Sequence, residues 1–281
     1  MNRIVLGDNL DLLRRLPDAS VALVYIDPPF NTGTAQRRTR LATVRDAAGD
    51  RTGFGGHRYA TTLLGSMRFA DAFDDYPAFL EPRLVEIRRV LAADGSLFFH
   101  IDPREAHYCK LLLDAVFGRP SFMNEIIWSY DYGARPKRRW PAKHDTIFWY
   151  ARDPENYVFD AEAMDRIPYM APGLVGAEKA ARGKTPTDVW WHTIVSPTGR
   201  EKTGYPTQKP LGILERIVRV HSRAGDLVAD FFAGSGSFGE AAARHGRHFL
   251  LADSNPEAVQ VMTRRLAAWS PAVEGVAEGA G

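Results

Sequence analysis

The residues best suited to chemistry are Asp27-Pro28-Pro29-Phe30, directly after the apolar run Val21-Ala22-Leu23-Val24-Tyr25-Ile26. Two consecutive prolines fix φ twice and supply no N–H, so the turn is stiff and its carbonyls are free to accept. An acid, a free carbonyl and an aromatic face in one stiff turn suit an exocyclic amine on a heterocyclic base. The lone pair of such an amine is delocalised into the ring, which makes it a poor nucleophile. With Asp27 accepting one N–H and the Pro28 carbonyl the other, the nitrogen becomes more tetrahedral and its lone pair can be aimed at an electrophile. Phe30 offers a face on which an extruded base can stack. The chemistry is then a direct in-line displacement, in which positioning and preorganised acceptors supply most of the acceleration. The plainer alternative is a Pro-stiffened turn with Asp27 as a cap.

A second candidate site lies near the C-terminus. Residues 226–231 read as a strand, and Ala233-Gly234-Ser235-Gly236-Ser237-Phe238-Gly239 then opens a helix. Gly234, Gly236 and Gly239 match the spacing Gly-x-Gly-x-x-Gly. Glycines let the backbone turn sharply and approach a ligand, while the helix N-terminus presents free N–H groups. Asp253 ends the next strand, where an acid can hold ribose hydroxyls. The arrangement predicts an adenosine-containing cofactor, and the motif alone leaves a nicotinamide dinucleotide open. Asp230 and Phe232 lean away from that rival, whose sites usually carry an apolar residue and a glycine there.

These loops need a sheet to hold them. Segments 3–6, 21–26, 96–101, 125–129, 145–150, 226–231 and 248–253 read as buried strands, several of them apolar at nearly every position. Helical patterns fall between them at 10–16, 76–92, 103–117, 209–222, 237–245 and 256–268. The alternation predicts an α/β fold: an open, doubly wound sheet of about seven strands with helices on both faces. Two stretches break the rhythm. Residues 31–71 are rich in Gly, Thr and Arg and read as a long, partly ordered loop. Residues 153–205, with Trp190-Trp191-His192, read as a small inserted module. The frame is therefore 1–152 with 206–270, and the small polar tail 271–281 is expected to fray.

Composition sets the outer limits. The 281 residues are 45% hydrophobic and 25% charged, with a net charge of +2. No apolar run approaches the ~18 residues of a membrane span. The N-terminus reads directly into a strand and lacks a signal-peptide profile. The single cysteine, Cys109, cannot form an internal disulfide, which fits a reducing cytoplasm. The histidines and this cysteine show no metal-ligand spacing, so no structural zinc is expected. Basic charge is concentrated: Arg37, Arg38, Arg40, Arg45, Arg51 and Arg58 in one stretch, Arg135, Lys137, Arg138, Arg139 and Lys143 in another. Such loops offer phosphates a footprint, or are simply solvated.

Taken together, the motifs resemble the DNA amino-methyltransferases, specifically their permuted β group. In that group the catalytic loop comes first and the cofactor glycine loop last, which is the order of Asp27–Phe30 and Phe231–Gly236 here. Gly7-Asp8-Asn9-Leu10 resembles the family's opening, and the resemblance implies that Asp8 sits near the cofactor adenine. Gly204-Tyr205-Pro206-Thr207-Gln208-Lys209-Pro210 is similar to the segment whose Thr and Lys hold the cofactor's methionine carboxylate. Asp230 through Gly236 resembles the cofactor loop. The match covers nearly the whole chain; the Arg-rich stretch after Gly33 has no place in it.

The resemblance implies S-adenosylmethionine as cofactor, held by Asp8, Asp27, Thr207, Lys209, Asp230, Phe232, Gly234, Ser235, Gly236 and Asp253. It implies methyl transfer to a flipped base in double-stranded DNA, with target recognition in residues 153–205 and a location beside the nucleoid. Asp27 favours adenine N6, since relatives acting on cytosine N4 more often have Ser there; cytosine N4 is the runner-up. A cognate restriction endonuclease and a second copy of the chain are the further partners it admits. An inactive DNA-binding subunit and an NAD-dependent oxidoreductase are the rivals from other classes. For DNA phosphates the candidates are Arg37, Arg38, Arg40, Arg135, Lys137, Arg138 and Arg139. Trp128, Tyr130, Tyr132 and Trp140 could form a base-stacking path or pack in the core. His100 reads as a satisfied edge histidine before it reads as a pocket residue.

Overall fold

In the computed structural model, residues 1–31, 36–45, 51–52, 58–69, 73, 75–133, 135–196, 199 and 201–275 are described. The strands are β1 (Arg3–Leu6), β2 (Val21–Ile26), β3 (Gln36–Arg45), β4 (Arg51–Thr52), β5 (Arg58–Phe69), β6 (Leu91–Ile101), β7 (Phe122–Ser129), β8 (His144–Ala151), β9 (Val189–Trp191), β10 (Leu227–Asp230), β11 (His248–Asp253) and β12 (Ala272–Glu274). The α-helices are α1 (Asn9–Arg15), α2 (Tyr76–Val90), α3 (Ala106–Phe117), α4 (Ala177–Arg182), α5 (Leu211–His221), α6 (Ser237–Arg244) and α7 (Pro256–Arg265). Contacts divide the chain into two units: Met1–Pro28 with Asp75–Gly281, and Pro29–Asp74.

In the first unit, nine strands among the described residues form one sheet, ordered β12-β1-β11-β10-β2-β6-β8-β7-β9. Pairing is parallel from β12 through β6, antiparallel for β6–β8 and β8–β7, and parallel again for β7–β9. The predicted α/β sheet is present, and each of the seven expected strands lies in it. Strands β2 and β8 are buried along almost their whole length, as strands covered on both faces must be. Crossovers of one hand that run in opposite directions along a sheet place their helices on opposite faces. Accordingly α1, α2 and α3 pack together, while α5 and α6 pack as a separate pair.

The helices start where their caps dictate. The Asp8 side chain accepts the Leu10 N–H at 2.7 Å to open α1, and Asp75 accepts the Ala78 N–H at 3.0 Å to open α2. Asn255 accepts the Glu257 N–H at 2.9 Å ahead of Pro256 in α7. Each cap satisfies an N–H that has no partner within its helix.

Three expectations change. Residues 31–71, read as a loop, contain a three-stranded antiparallel sheet, β3-β5-β4, paired from Gln36↔Phe69 to Arg45↔Tyr59. Its strands lack a clean polar–apolar alternation, so no buried face announced them. Pairing with one another satisfies the backbone regardless. In the same unit the Asn31 side chain accepts the Phe73 N–H at 3.1 Å. Residues 153–205 are not a separate unit but part of the first one. There β9 joins the sheet edge with Trp128↔Trp190 in register, and Asp165 pairs with Arg216 and Arg219 of α5. The tail opens with an ordered strand: β12 pairs with β1, and Glu274 forms a two-pronged ion pair with Arg3, both bonds 2.8 Å. Residues 276–281 lie outside the described residues.

Candidate active site

Strands β10 and β2 are neighbours, but the chain leaves β10 for β11 on one side and β2 for β6 on the other. This reversal opens a crevice at their carboxyl ends, the place where open α/β sheets bind ligands. The register Val228↔Leu23 and Ala229↔Val24 brings the two motif loops out side by side. Asp27 and the glycine loop, about two hundred residues apart in sequence, therefore share one edge.

At that edge the Asp27 carboxylate is largely buried. Its Oδ2 is ion-paired with Lys209 Nζ, and its Oδ1 is buried with no hydrogen-bond partner among the described residues. A buried acceptor left unpaired costs about 1–3 kcal/mol, so this oxygen is set up to receive a donor. Pro29 and Phe30, the rest of the predicted loop, open the second unit. Lys209, assigned by resemblance to a cofactor carboxylate, is here paired with Asp27. Thr207 is exposed, and its backbone is left-handed at φ 55°, an outlying conformation for a β-branched residue. Such strain persists where the surroundings impose it, commonly at binding sites. Gln208 is buried beneath it and accepts from the Thr203 N–H at 2.9 Å.

In the glycine loop, Gly234 and Gly236 have φ of +48° and +73°, conformations that only glycine enters without cost. A Cβ on Gly239 would lie 2.5 Å from Leu251 Cδ1, so this glycine lets α6 sit directly on β11. Asp253 Oδ2 accepts the Gly234 N–H and Oδ1 the Asn255 N–H, each at 2.8 Å. Asp253 thus shapes the loop as well as standing at its mouth. Burial raises its carboxyl pKa, against the pull of those two N–H groups. Burial likewise holds the Asp230 carboxyl well above the usual range, opposed by the Phe232 N–H and reinforced by Asp27 and Asp253. The Ser235 side chain is buried, 3.0 Å from Ser237 Oγ and within reach of Arg265.

Asp8 caps α1 and forms an ion pair with Arg83 at 2.9 Å. Arg83 also donates to Asn9 Oδ1 at 2.6 Å, and Asn9 Nδ2 donates to the Phe231 carbonyl at 2.8 Å. This chain ties the start of α1 to the glycine loop. Sequence reasoning did not find Arg83, because a lone arginine on an amphipathic helix carries no signal. Tyr205, whose ring would meet a Cβ on Gly234 at 3.0 Å, lies inside a motif already singled out. The set fits an adenosine-containing cofactor, with a glycine-lined turn flanked by the carboxylates Asp8, Asp230 and Asp253.

Of the predicted phosphate contacts, Arg135, Lys137, Arg138 and Arg139 are all exposed in the β7–β8 loop, and Trp140 beside them is 93% exposed. Arg135 pairs with Asp131 at 2.7 Å. Lys143 Nζ closes the loop by donating to the Tyr132 and Gly133 carbonyls, at 2.5 and 2.8 Å. Arg37, Arg38 and Arg40 lie on β3 in the second unit, with side chains outside the described residues. His100 is buried, as is Asp102, which pairs with Arg104. No described helix is long and apolar enough to cross a membrane.

Known proteins resemble this chain. The DNA adenine methyltransferase YhdJ of Escherichia coli is 28% identical over 276 residues, covering 94% of this chain and 82% of the relative. The type II methyltransferase M.HpaI of Haemophilus parainfluenzae is 26% identical over 264 residues, covering 94% and 74%. Among solved structures, the PvuII cytosine-N4-specific DNA methyltransferase superposes with a TM-score of 0.64 at 16% identity, covering 93% of this chain and 85% of that one. The profile of the N6/N4 DNA methylase family matches residues 21–264, so the chain belongs to that DNA methylase family.

Proposed function

We propose that this DNA methylase transfers a methyl group from S-adenosylmethionine to adenine N6 in double-stranded DNA, at one short sequence, after the base is flipped. The observation that carries this reading is the buried, unpartnered Oδ1 of Asp27 beside the glycine loop at the β2/β10 crevice. The cofactor would be held by Gly234–Gly236, Asp253 and Asp8, and it supplies an electrophilic sulfonium methyl when bound. Asp27 Oδ1 accepts one amine N–H while Lys209 fixes the other carboxylate oxygen, and the Pro28 carbonyl takes the second N–H. Phe30, three residues along the chain, is the stacking surface the sequence offers. Cys109 supplies no thiolate: it is buried, and burial pushes its thiol up to about 12. Ring-carbon methylation of cytosine, which needs a nucleophilic thiol, therefore has no candidate among the described residues.

Adenine is favoured over cytosine N4 by Asp27 and by the adenine specificity in the name of YhdJ. A nicotinamide-dependent reaction would leave the Asp27–Lys209 pair without a role. Single-molecule sequencing of DNA from cells expressing the protein tests the reading. N6-methyladenine in one motif, lost with Asp27→Asn, is the expected result. N4-methylcytosine would overturn the choice of base, and unmodified DNA the reaction. This reading adds three further points: a cytoplasmic location beside the nucleoid, a cognate endonuclease cutting the unmodified motif, and a second copy of the chain on a palindromic site.

The exposed β7–β8 loop is assigned to DNA phosphates and the 153–205 region to target recognition. Each phosphate neutralised contributes about 0.9 to the slope of log affinity against log salt. Replacing Arg135, Lys137, Arg138 and Arg139 with glutamine should flatten that slope by roughly 3–4 in fluorescence anisotropy titrations. The Arg135–Asp131 pair is exposed and weak, so Arg135 counts among the four. An unaltered slope would return the loop to the solvated surface.

A further inference from the structure

Behind Asp27, polar side chains from adjoining parts of the sheet meet inside the core. The Tyr25 hydroxyl on β2 lies 2.6 Å from His100 Nδ1 on β6. His100 Nε2 lies 3.1 Å from Asp145 Oδ2 on β8, and Tyr130, just after β7, donates to Asp145 Oδ1 at 3.0 Å. His100 is 0% exposed and Tyr25 2%. Burying such groups is costly unless protons and lone pairs match, and sheet stability alone would be served as well by apolar residues.

Here they do match. Burial, and then the charges of Asp27, Asp230 and Asp145, raise the Tyr25 pKa, so the phenol keeps its proton beside Nδ1. Nε2–H is the donor to Asp145, whose carboxylate has no proton to give. Burial opposes the charge on Asp145, but the His100 bond, the Lys209 field and the Tyr130 bond more than offset it, and its pKa is lowered. Lys209 is the side chain that holds Asp27.

Rings clamp the chain of bonds in place. Phe238 of α6 stacks on Tyr25 at 5.3 Å, and Trp128 meets His100 edge-on at 5.6 Å and Tyr130 at 5.1 Å. At its far end the Tyr130 N–H donates to the Lys143 carbonyl at 2.9 Å, closing the root of the basic β7–β8 loop. The relay thus crosses three strand spacings, about 14 Å, from the strand that ends at Asp27 to that root.

We propose that Tyr25, His100, Asp145 and Tyr130 are positioning residues for methyl transfer, a relay that keeps the Asp27 strand aligned with the root of the DNA-facing loop. The inference rests on the DNA methyltransferase reading. Tyr130→Phe removes one hydroxyl and keeps the ring, and Asp145→Asn removes the charge and keeps the shape. Both should lower the single-turnover methylation rate about 10–100-fold at saturating DNA and cofactor, the scale of a small misplacement of reacting groups. Cofactor affinity measured by calorimetry should stay within about twofold, since neither side chain touches the glycine loop.

In the free wild-type protein, imidazole nitrogen-15 shifts should show His100 protonated on Nε2, the nitrogen that faces Asp145. Full rate in Tyr130→Phe beside an active wild type overturns the relay, even if thermal stability falls. A ring protonated on Nδ1 alone overturns it as well. A wild-type protein that methylates no DNA overturns the underlying reading and the relay with it.

Discussion

Asp27→Asn should lower the single-turnover rate of methyl transfer by about 10²–10³-fold at saturating DNA and cofactor, the scale of losing one preorganised electrostatic partner. The carboxylate has one oxygen committed to Lys209 and the other buried without a donor. The free-standing oxygen is the acceptor that an exocyclic amine needs, and the fold has already met the cost of desolvating it. An amide in its place either presents N–H groups to an amine that also carries N–H, or turns them toward the Lys209 ammonium. The first cannot accept from the amine, and the second keeps only an uncharged, weaker acceptor while setting N–H groups against an ammonium. Asparagine is a better probe than alanine here. Removing the side chain altogether would also break the largely buried ion pair with Lys209. Transfer of labelled methyl groups to DNA under single-turnover conditions makes the measurement. A rate within about threefold of wild type would remove Asp27 from the chemistry.

Asp253→Ala should weaken cofactor binding by about 1–3 kcal/mol, which is roughly 5–150-fold in dissociation constant. The mechanism is broader than a lost contact to a ribose. Asp253 also holds the Gly234 N–H, and with it the left-handed turn from which Gly236 and α6 proceed. It holds the Asn255 N–H too, and Asn255 caps α7. Alanine therefore loosens the cradle and leaves two N–H groups to find water. Calorimetric titration with S-adenosylmethionine reads the effect. Unchanged affinity would mean that the loop keeps its shape without Asp253 and that the cofactor does not use it.

Much of this is legible in the sequence. The apolar strands 21–26 and 248–253 fall where the reading put them, because a strand buried on both faces is marked by composition alone. The stiff Asp27-Pro28-Pro29-Phe30 turn and the glycine loop were legible for a related reason. Proline and glycine restrict or free the backbone through their own covalent structure, whatever surrounds them. Strands β9 and β12 were not legible. Each has three residues, too few for a period to appear, and each exists because a sheet edge offers it partners. The three-stranded sheet in residues 36–69 was missed for want of a patterned face.

By itself, the sequence determined the alternating α/β order, the two loops able to do chemistry, and their permuted arrangement along the chain. Local backbone chemistry and hydrophobic pattern are properties of short segments, so they survive without a fold. Tertiary structure alone decided which charges face one another. Lys209 on Asp27, Arg83 on Asp8, and Asp145 beneath His100 join residues from distant parts of the chain. Ion pairs and buried hydrogen bonds depend on distance and desolvation. Both arise only when the sheet assembles and brings β2, β6, β8 and β10 to one edge.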